Sequence, residues 1–299
     1  MQRKPHMDLF GASLLITFAA IMGFNQVVIS VGNEGWQPIF FAGIRSFLGI
    51  FCLWIWFRIQ NRPLGIELKD LKWGTVIGLF FGVEFIFLFL ALDYTTVTRT
   101  SIIYYSMPLW LALLAHWLLP EEPMTKVKGT GHLLAFLGVA LAIGARGGGG
   151  EASLLGDLLA LAAAFCWAGL TLVARTGLSH VAPDRQLMWQ LIVSALILLP
   201  LAPLFGPLIR DLAPIHFWAL GFQTTVVVTA AFAMWFWLLK IYPAASVAAF
   251  SFLSPIFGVG FGWLLLSEQL GVSDIAALVL VVVGLFLINR PASPASALH

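Results

Sequence analysis

Charge is what this chain has least of. Only 10% of its 299 residues are Asp, Glu, Lys or Arg, where a soluble domain carries about 25%. With 60% of the residues apolar, that is too little polar surface to face water on all sides, and an ordinary soluble fold is excluded. Cysteine is scarce as well. Cys52 and Cys166 are the only two, and both stand inside apolar runs, which reads as packed thiols rather than a disulfide framework. A net charge of +2 gives no basic excess for nucleic acid to meet. There is no phosphate-binding glycine loop, so ATP does not drive this chain directly. There is no His-Glu-x-x-His pair. His116 and His132 are isolated, and Asp157 stands near a span end without a partner, so neither zinc hydrolysis nor acid proteolysis has its residues. No ring of charge or filter-like loop suggests a passive channel. The expectation is a protein with no cofactor, no metal, no enzymatic activity and no obligate protein partner.

What the chain has is long apolar runs. Phe and Trp are abundant, at 25 and 12 residues, as lipid contact and interfacial belts require. A bilayer core of ~30 Å takes ~20 mostly apolar residues as a helix. Ten such segments are expected, at 9–30, 38–57, 73–92, 98–119, 129–146, 154–175, 186–206, 215–238, 245–266 and 273–289. The first follows Arg3 and Lys4 and runs on to about Ser30 without a small-x-small cleavage site, so it reads as a span rather than a secretory signal. Ten spans sort the 16 Lys and Arg residues sharply. Arg99, Arg146 and Arg210 fall on one side, Arg45 lies within a span, and the other twelve share the opposite side. An excess of Lys and Arg marks the cytoplasmic face, which puts both termini in the cytoplasm.

The chain also repeats itself. YTTVTRTSIIYYSMPLWLALLAHWLLPEE, from Tyr94 to Glu122, returns as YPAASVAAFSFLSPIFGVGFGWLLLSE, from Tyr242 to Glu268. Tyr94 matches Tyr242, Pro108 matches Pro255, Trp117 matches Trp263 and Glu122 matches Glu268. Outside that stretch Gly11 matches Gly156, Pro38 matches Pro183 and Gly138 matches Gly284, with offsets of 145 to 148 residues throughout. Two copies in ten spans give five each, an odd number, so the second copy enters the membrane from the other side. The expected fold is all-α and membrane-integral, with two inverted five-helix repeats at 1–146 and 154–290 around a central cavity. Residues 147–153, with the run Gly147–Gly150, form the joint, and 291–299 are a disordered tail. Inverted repeats are the architecture of secondary transporters, which hold substrate near the midplane between the halves.

These residues resemble a known family. Met22-Gly23-Phe24-Asn25, Pro38 followed by Arg45, and Ala91-Leu92-Asp93-Tyr94 leading to Pro108 and Glu122, with their second copies, are similar to the drug/metabolite transporter superfamily of the EamA type, and particularly to the YddG-like amino acid exporters. The resemblance covers about residues 8–290. It implies ten helices, a central cavity, and export of metabolites across a bacterial inner membrane. The second half departs from the first, with Gln190 at the place of Arg45 and Trp167-Ala168-Gly169 in place of Met22-Gly23-Phe24, as an asymmetric cavity would require.

Glu84 is the sharpest candidate for a substrate contact. It sits mid-span in LFFGVEFIFLFL, where an ionised carboxylate costs ~3 kcal/mol or more unless it faces a cavity or a partner. It either meets a substrate amino group, titrates, or fixes packing. Arg45 reads as a partner for a substrate carboxylate or for Glu84, or as a snorkelling or capping cation. Asn25 and Gln190 are candidate hydrogen-bond partners for a zwitterion, with Gln223 a further amide. Tyr104 and Tyr105 add polar tips, and Trp167 and Trp235 offer ring faces to cations or aromatic groups. Pro108 and Pro255 are expected inside helices, kinking them for gating. Gly258 and Gly262 read as close packing. A mostly apolar, aromatic cavity with few charges suits amino acids with sizeable side chains. Nucleosides, polyamines or toxic cations are the alternatives.

Overall fold

A computed structural model describes residues 7–61, 67–118, 126–145, 153–242, 247, 250 and 252–289. Glu122, Gly147–Gly150, the tail and Arg3, Lys4, Arg62, Arg146 and Arg290, on which expectations were placed, lie outside them.

The described elements are helices, as they must be where lipid offers the backbone no hydrogen bonds. They are α1 (Leu9–Gly35), α2 (Pro38–Ile59), α3 (Leu71–Tyr94), α4 (Val97–Tyr104), α5 (Met107–Leu118), α6 (Lys126–Gly144), α7 (Leu154–Thr176), α8 (Pro183–Leu201), α9 (Pro214–Gly221), α10 (Phe232–Ile241), α11 (Leu253–Leu266) and α12 (Val272–Ile288). Starts are capped from the sequence. Asp8 accepts from Gly11 N–H at 2.8 Å and Ser153 from Gly156 N–H at 3.0 Å, while Pro38, Pro183 and Pro214 occupy first positions that need no donor. Eight segments are long and apolar enough to cross a membrane, among them the composite stretches Val97–Leu118 and Pro214–Trp235. The protein is therefore a multi-pass membrane protein. The last two apolar helices are shorter, at 14 and 17 residues. At about 1.5 Å per residue, α11 alone reaches about 21 Å, less than the ~30 Å of a hydrocarbon core.

Two spans depart from simple helices. The fourth is broken rather than kinked. The backbone turns at Tyr105 and Ser106, where Ser106 N–H bonds to Ile103 O at 3.2 Å and Leu109 N–H to Ser106 O at 2.8 Å. Pro108 then stands second in α5, where its missing N–H leaves no gap. Pro255 likewise falls in the first turn of α11. Both prolines restart a helix, which corrects the expectation of kinks in mid-helix. The second departure is a wide π-helical stretch, Phe222–Ala231, between α9 and α10. Threonines there bond back to the backbone, Thr224 to Leu220 O, Thr225 to Gly221 O and Thr229 to Thr224 O, at 2.7–3.0 Å.

Packing is close because the residues are small. Helices α6 and α12 meet through glycines. A Cβ on Gly138 would lie 2.8 Å from Ala277 O and from Val281, and one on Gly284 would lie 2.5–2.7 Å from Gly131 and Ala135. The offset of 146 that relates Gly138 to Gly284 also relates Gly131 to Ala277 and Ala135 to Val281. A second such correspondence runs between ends. Gly11 at the start of α1 abuts Tyr242, and Gly156 at the start of α7 abuts Tyr94 and Thr95.

Polar contacts gather at two opposite faces. One holds the ends of α1 and α3, the starts of α2, α4 and α7, and the loop after α8. There Trp36 and Ile209 form an antiparallel bridge and Ser153 N–H bonds to Tyr94 O at 3.1 Å. At the other face Tyr242 donates to Asp8 at 2.6 Å and His180 meets Asp70 at 2.8 Å.

Candidate functional site

Glu84 faces inward, only 3% exposed, from the middle of α3. The Tyr104 hydroxyl, brought in by the last turn of α4, donates to Glu84 Oε1 at 2.6 Å. Trp167 on α7 stacks on the Tyr104 ring at 4.8 Å with planes 21° apart and meets Tyr105 edge-on at 6.0 Å. Tyr105, at the break between α4 and α5, donates to Met22 O at 2.6 Å and accepts from Gln26 Nε2 at 3.3 Å. Four of the predicted residues, Glu84, Tyr104, Tyr105 and Trp167, thus form one cluster contributed by three spans. Glu84 Oε2 is buried with no hydrogen-bond partner among the described residues.

Arg45 completes the charge at this level. It is 2% exposed, so it does not snorkel to the interface. Its guanidinium carbon lies 4.3 Å from the centre of the Phe85 ring, and a desolvated cation on an aromatic face is worth about 2 kcal/mol. Glu84 and Tyr104 are within its electrostatic reach, yet it makes no ion pair with Glu84. Arg45 Nε and Nη1 are buried without a hydrogen-bond partner among the described residues.

The other predicted residues make none of these contacts. Gln223, in the π-helical stretch, donates through Nε2 to Asn25 Oδ1 at 2.5 Å and leaves its own Oε1 buried and without a partner among the described residues. Asn25 and Gln223 are therefore each other's partners. Trp235 stacks on Phe18 at 4.7 Å, in a cluster with Leu15, Leu238 and Tyr242. Gln190 is half-buried on α8 and is hydrogen-bonded to none of the cluster. His116 is exposed in the last turn of α5. A hollow of about 360 Å³ lies where α11 ends, lined by Trp263, Leu264, Ser267, Glu268 and Gln269, none of them a predicted site residue.

One ionic cluster escapes sequence reasoning. Asp157 has a partner after all. Arg99 reaches it through Nε at 3.0 and 3.2 Å and through Nη2 at 2.6 Å, bonds to the carbonyls of Ala142 and Ala145, and lies 3.8 Å from Asp274. Thr95 adds a hydroxyl to Asp157 at 3.0 Å. Arg99, Asp157 and Asp274 are all at least 95% buried, and together they tie α4, α6, α7 and α12 at one face. On the same face Glu268 accepts from the first two N–H groups of α4, Val97 at 2.6 Å and Thr98 at 2.8 Å, where an anion suits the positive helix end. Arg210 binds Asp93 through two bonds of 2.6 and 2.9 Å. Those bonds hold the Arg210 guanidinium above its ordinary range, so the pair keeps its cation at any physiological pH.

Similar proteins are transporters by name. The chain is 30% identical to the uncharacterized transporter YvbV of Bacillus subtilis over 93% of this chain and 91% of that protein. It is 25% identical to the uncharacterized transporter YoaV of the same organism, over 91% and 94%. It is 28% identical to a probable amino-acid metabolite efflux pump of Escherichia coli, over 92% and 93%. A crystal structure at 19% identity superposes over 93% of this chain and 97% of its own with a TM-score of 0.66, a likeness of fold. The EamA-like transporter family matches twice, over residues 9–144 and 154–290, and the chain belongs to that family.

Proposed function

We propose that this protein is a secondary carrier that exports amino acids or similar amphipathic metabolites across a bacterial inner membrane by alternating access. Ten spans, as two five-helix repeats of opposite orientation with both termini cytoplasmic, give it the required symmetry. The reciprocal meeting of Gly138 and Gly284 with matching partners supports that reading. The gathering at one face of Arg99, Asp157, Asp274, Glu268, Asp93 and Arg210 supports it too, because alternating spans place these span ends on a common side.

The observation that carries the function is Glu84. A buried carboxyl group holds one oxygen on Tyr104, whose ring stacks on Trp167, and keeps the other unpartnered among the described residues. Intramembrane ionisable groups mark solute pathways, and this one presents an anion beside an aromatic wall. Such a site suits an ammonium group next to an apolar side chain. The E. coli relative's name points the same way. In this reading Glu84, Tyr104, Tyr105 and Trp167 line the central site. Asn25, Gln223, Gln190 and Trp235 border the path, and the restarts at Pro108 and Pro255 are where the helices flex.

The second reading, export of nucleosides, polyamines or toxic cations, shares the Glu84 contact and differs in the solute. Uptake into proteoliposomes from a panel of amino acids, nucleosides and polyamines, with and without a pH gradient, separates the two. Saturable transport of amino acids is expected. Transport confined to polyamines or nucleosides would replace the first reading with the second, and a C-terminal tag found outside the cell would end the topology.

A further inference from the structure

The central cluster contains a carboxyl group and a guanidinium that have not paired with each other. In a low-dielectric interior a carboxylate and a guanidinium attract strongly and ordinarily close into a hydrogen-bonded pair. Here each is held by something else. Tyr104 holds Glu84 by Oε1. The face of Phe85 holds the Arg45 guanidinium 4.3 Å from its centre, on the residue next to Glu84. The result is an acceptor, Glu84 Oε2, and two donors, Arg45 Nε and Nη1, all buried and all without a partner among the described residues. Buried donors and acceptors are nearly always satisfied, and a group left bare loses its hydration without return.

We infer that Glu84 and Arg45 read the two ends of one zwitterionic head group, the α-ammonium on Glu84 Oε2 and the α-carboxylate on Arg45 Nε and Nη1. The inference rests on the carrier reading above and narrows it. A solute with an ammonium and a carboxylate on adjacent positions satisfies all three bare atoms and leaves no net charge in the membrane. A decarboxylated amine leaves Arg45 unpaired, and an N-acylated acid leaves Glu84 unpaired. Each omission strands a buried charge, which is how a polar site rejects an analogue that lacks one group. The second half has Gln190 at the place of Arg45, so the reader exists once and the head group binds in one orientation.

The test compares three forms of one side chain. The amino acid best transported by the reconstituted full chain among the twenty is compared with its amine and its N-acetyl derivative, as competitors of labelled uptake. Both derivatives are expected to compete at least about tenfold less well, the worth of one hydrogen bond to a charged group. Arg45→Gln should bring the amine level with the amino acid, and Glu84→Gln should do so for the N-acetyl form. These are ratios, so they do not depend on how much of a variant folds. Where a variant moves too little solute, protection of Cys166 from N-ethylmaleimide in a Cys52→Ser background gives the same comparison, since Cys166 lies half-buried beside Trp167 within electrostatic reach of Glu84. If none of the twenty amino acids is carried, the amino acid reading falls and takes this one with it. If an amino acid is carried but its amine competes equally, or Arg45→Gln leaves the ratio unchanged, the two-point reader alone is overturned.

Discussion

Tyr104 donates to Glu84 across 2.6 Å, and that hydroxyl is the carboxylate's sole hydrogen-bond partner among the described residues. Tyr104→Phe keeps the ring on Trp167 and removes only the donor. The variant should lose about 1–3 kcal/mol of stability, the penalty for stranding a buried polar group, and its substrate affinity should fall. Glu84→Gln in the same chain should restore part of that loss, because the charge that needed the hydroxyl is gone. Thermal unfolding in detergent of the two single variants and the double variant measures the coupling. Strictly additive losses would show that the contact holds nothing.

The ionic knot at the start of α4 makes a different kind of prediction. Removing one partner of a buried ion pair is far worse than replacing both. Arg99→Met should therefore destabilise by about 3–5 kcal/mol, because Asp157 and Asp274 are left buried without their shared cation. A triple change to Met at Arg99 and Leu at Asp157 and Asp274 should recover most of the loss. The yield of monodisperse protein and its unfolding temperature report both. Equal loss in the single and triple variants would mean that shape, not charge, holds this corner.

Much of this was legible in the amino acid order, and the exceptions have a common cause. Glu84 announces itself because one carboxylate interrupts a dozen apolar residues. The fold is visible because lipid imposes long apolar runs and because Tyr94 and Tyr242 begin two copies of one pattern. Asp157 looked isolated because its partner stands 58 positions away, and each of the two sits near a span end, where a charge ordinarily meets water. The π-helical stretch in FQTTVVVTAA has neither proline nor glycine to signal it. Its signal is the run of threonines, whose hydroxyls bond back to the widened turn. Pro108 gave the right place and the wrong geometry, since a proline that starts a helix and one that bends it look alike in sequence.

Glu268 should act as a latch on α4. Its carboxylate covers the Val97 and Thr98 N–H groups in this structure, and the alternating access proposed above requires this face to open. Glu268→Gln keeps an acceptor but removes the charge, so the stability loss should stay near ~1 kcal/mol. The conformational balance should move more. In a Cys52→Ser, Cys166→Ser, Thr98→Cys background, a membrane-impermeant thiol reagent added from outside should label the cysteine faster once Glu268 is Gln. Unchanged labelling would mean that the carboxylate caps a helix and gates nothing.

The glycines of α6 and α12 allow the proposed internal two-fold to be weighed. A Cβ on Gly138 or on Gly284 would lie 2.5–2.9 Å from the other glycine's helix, while a Cβ on Gly260 in α11 would meet nothing within 4 Å among the described residues. If the two repeats are related as proposed, Gly138→Val and Gly284→Val insert the same volume at equivalent points. Each should destabilise by a similar amount, about 1–3 kcal/mol for overpacking. Together they should do less harm than the sum, because the first separation of the helices already makes room for the second. Gly260→Ala should instead stabilise by up to about 1 kcal/mol, through helix propensity alone. Unfolding temperatures of the four proteins decide the matter. A large loss at one glycine and none at the other would show that the match between Gly138 and Gly284 in sequence has no counterpart in how the halves pack.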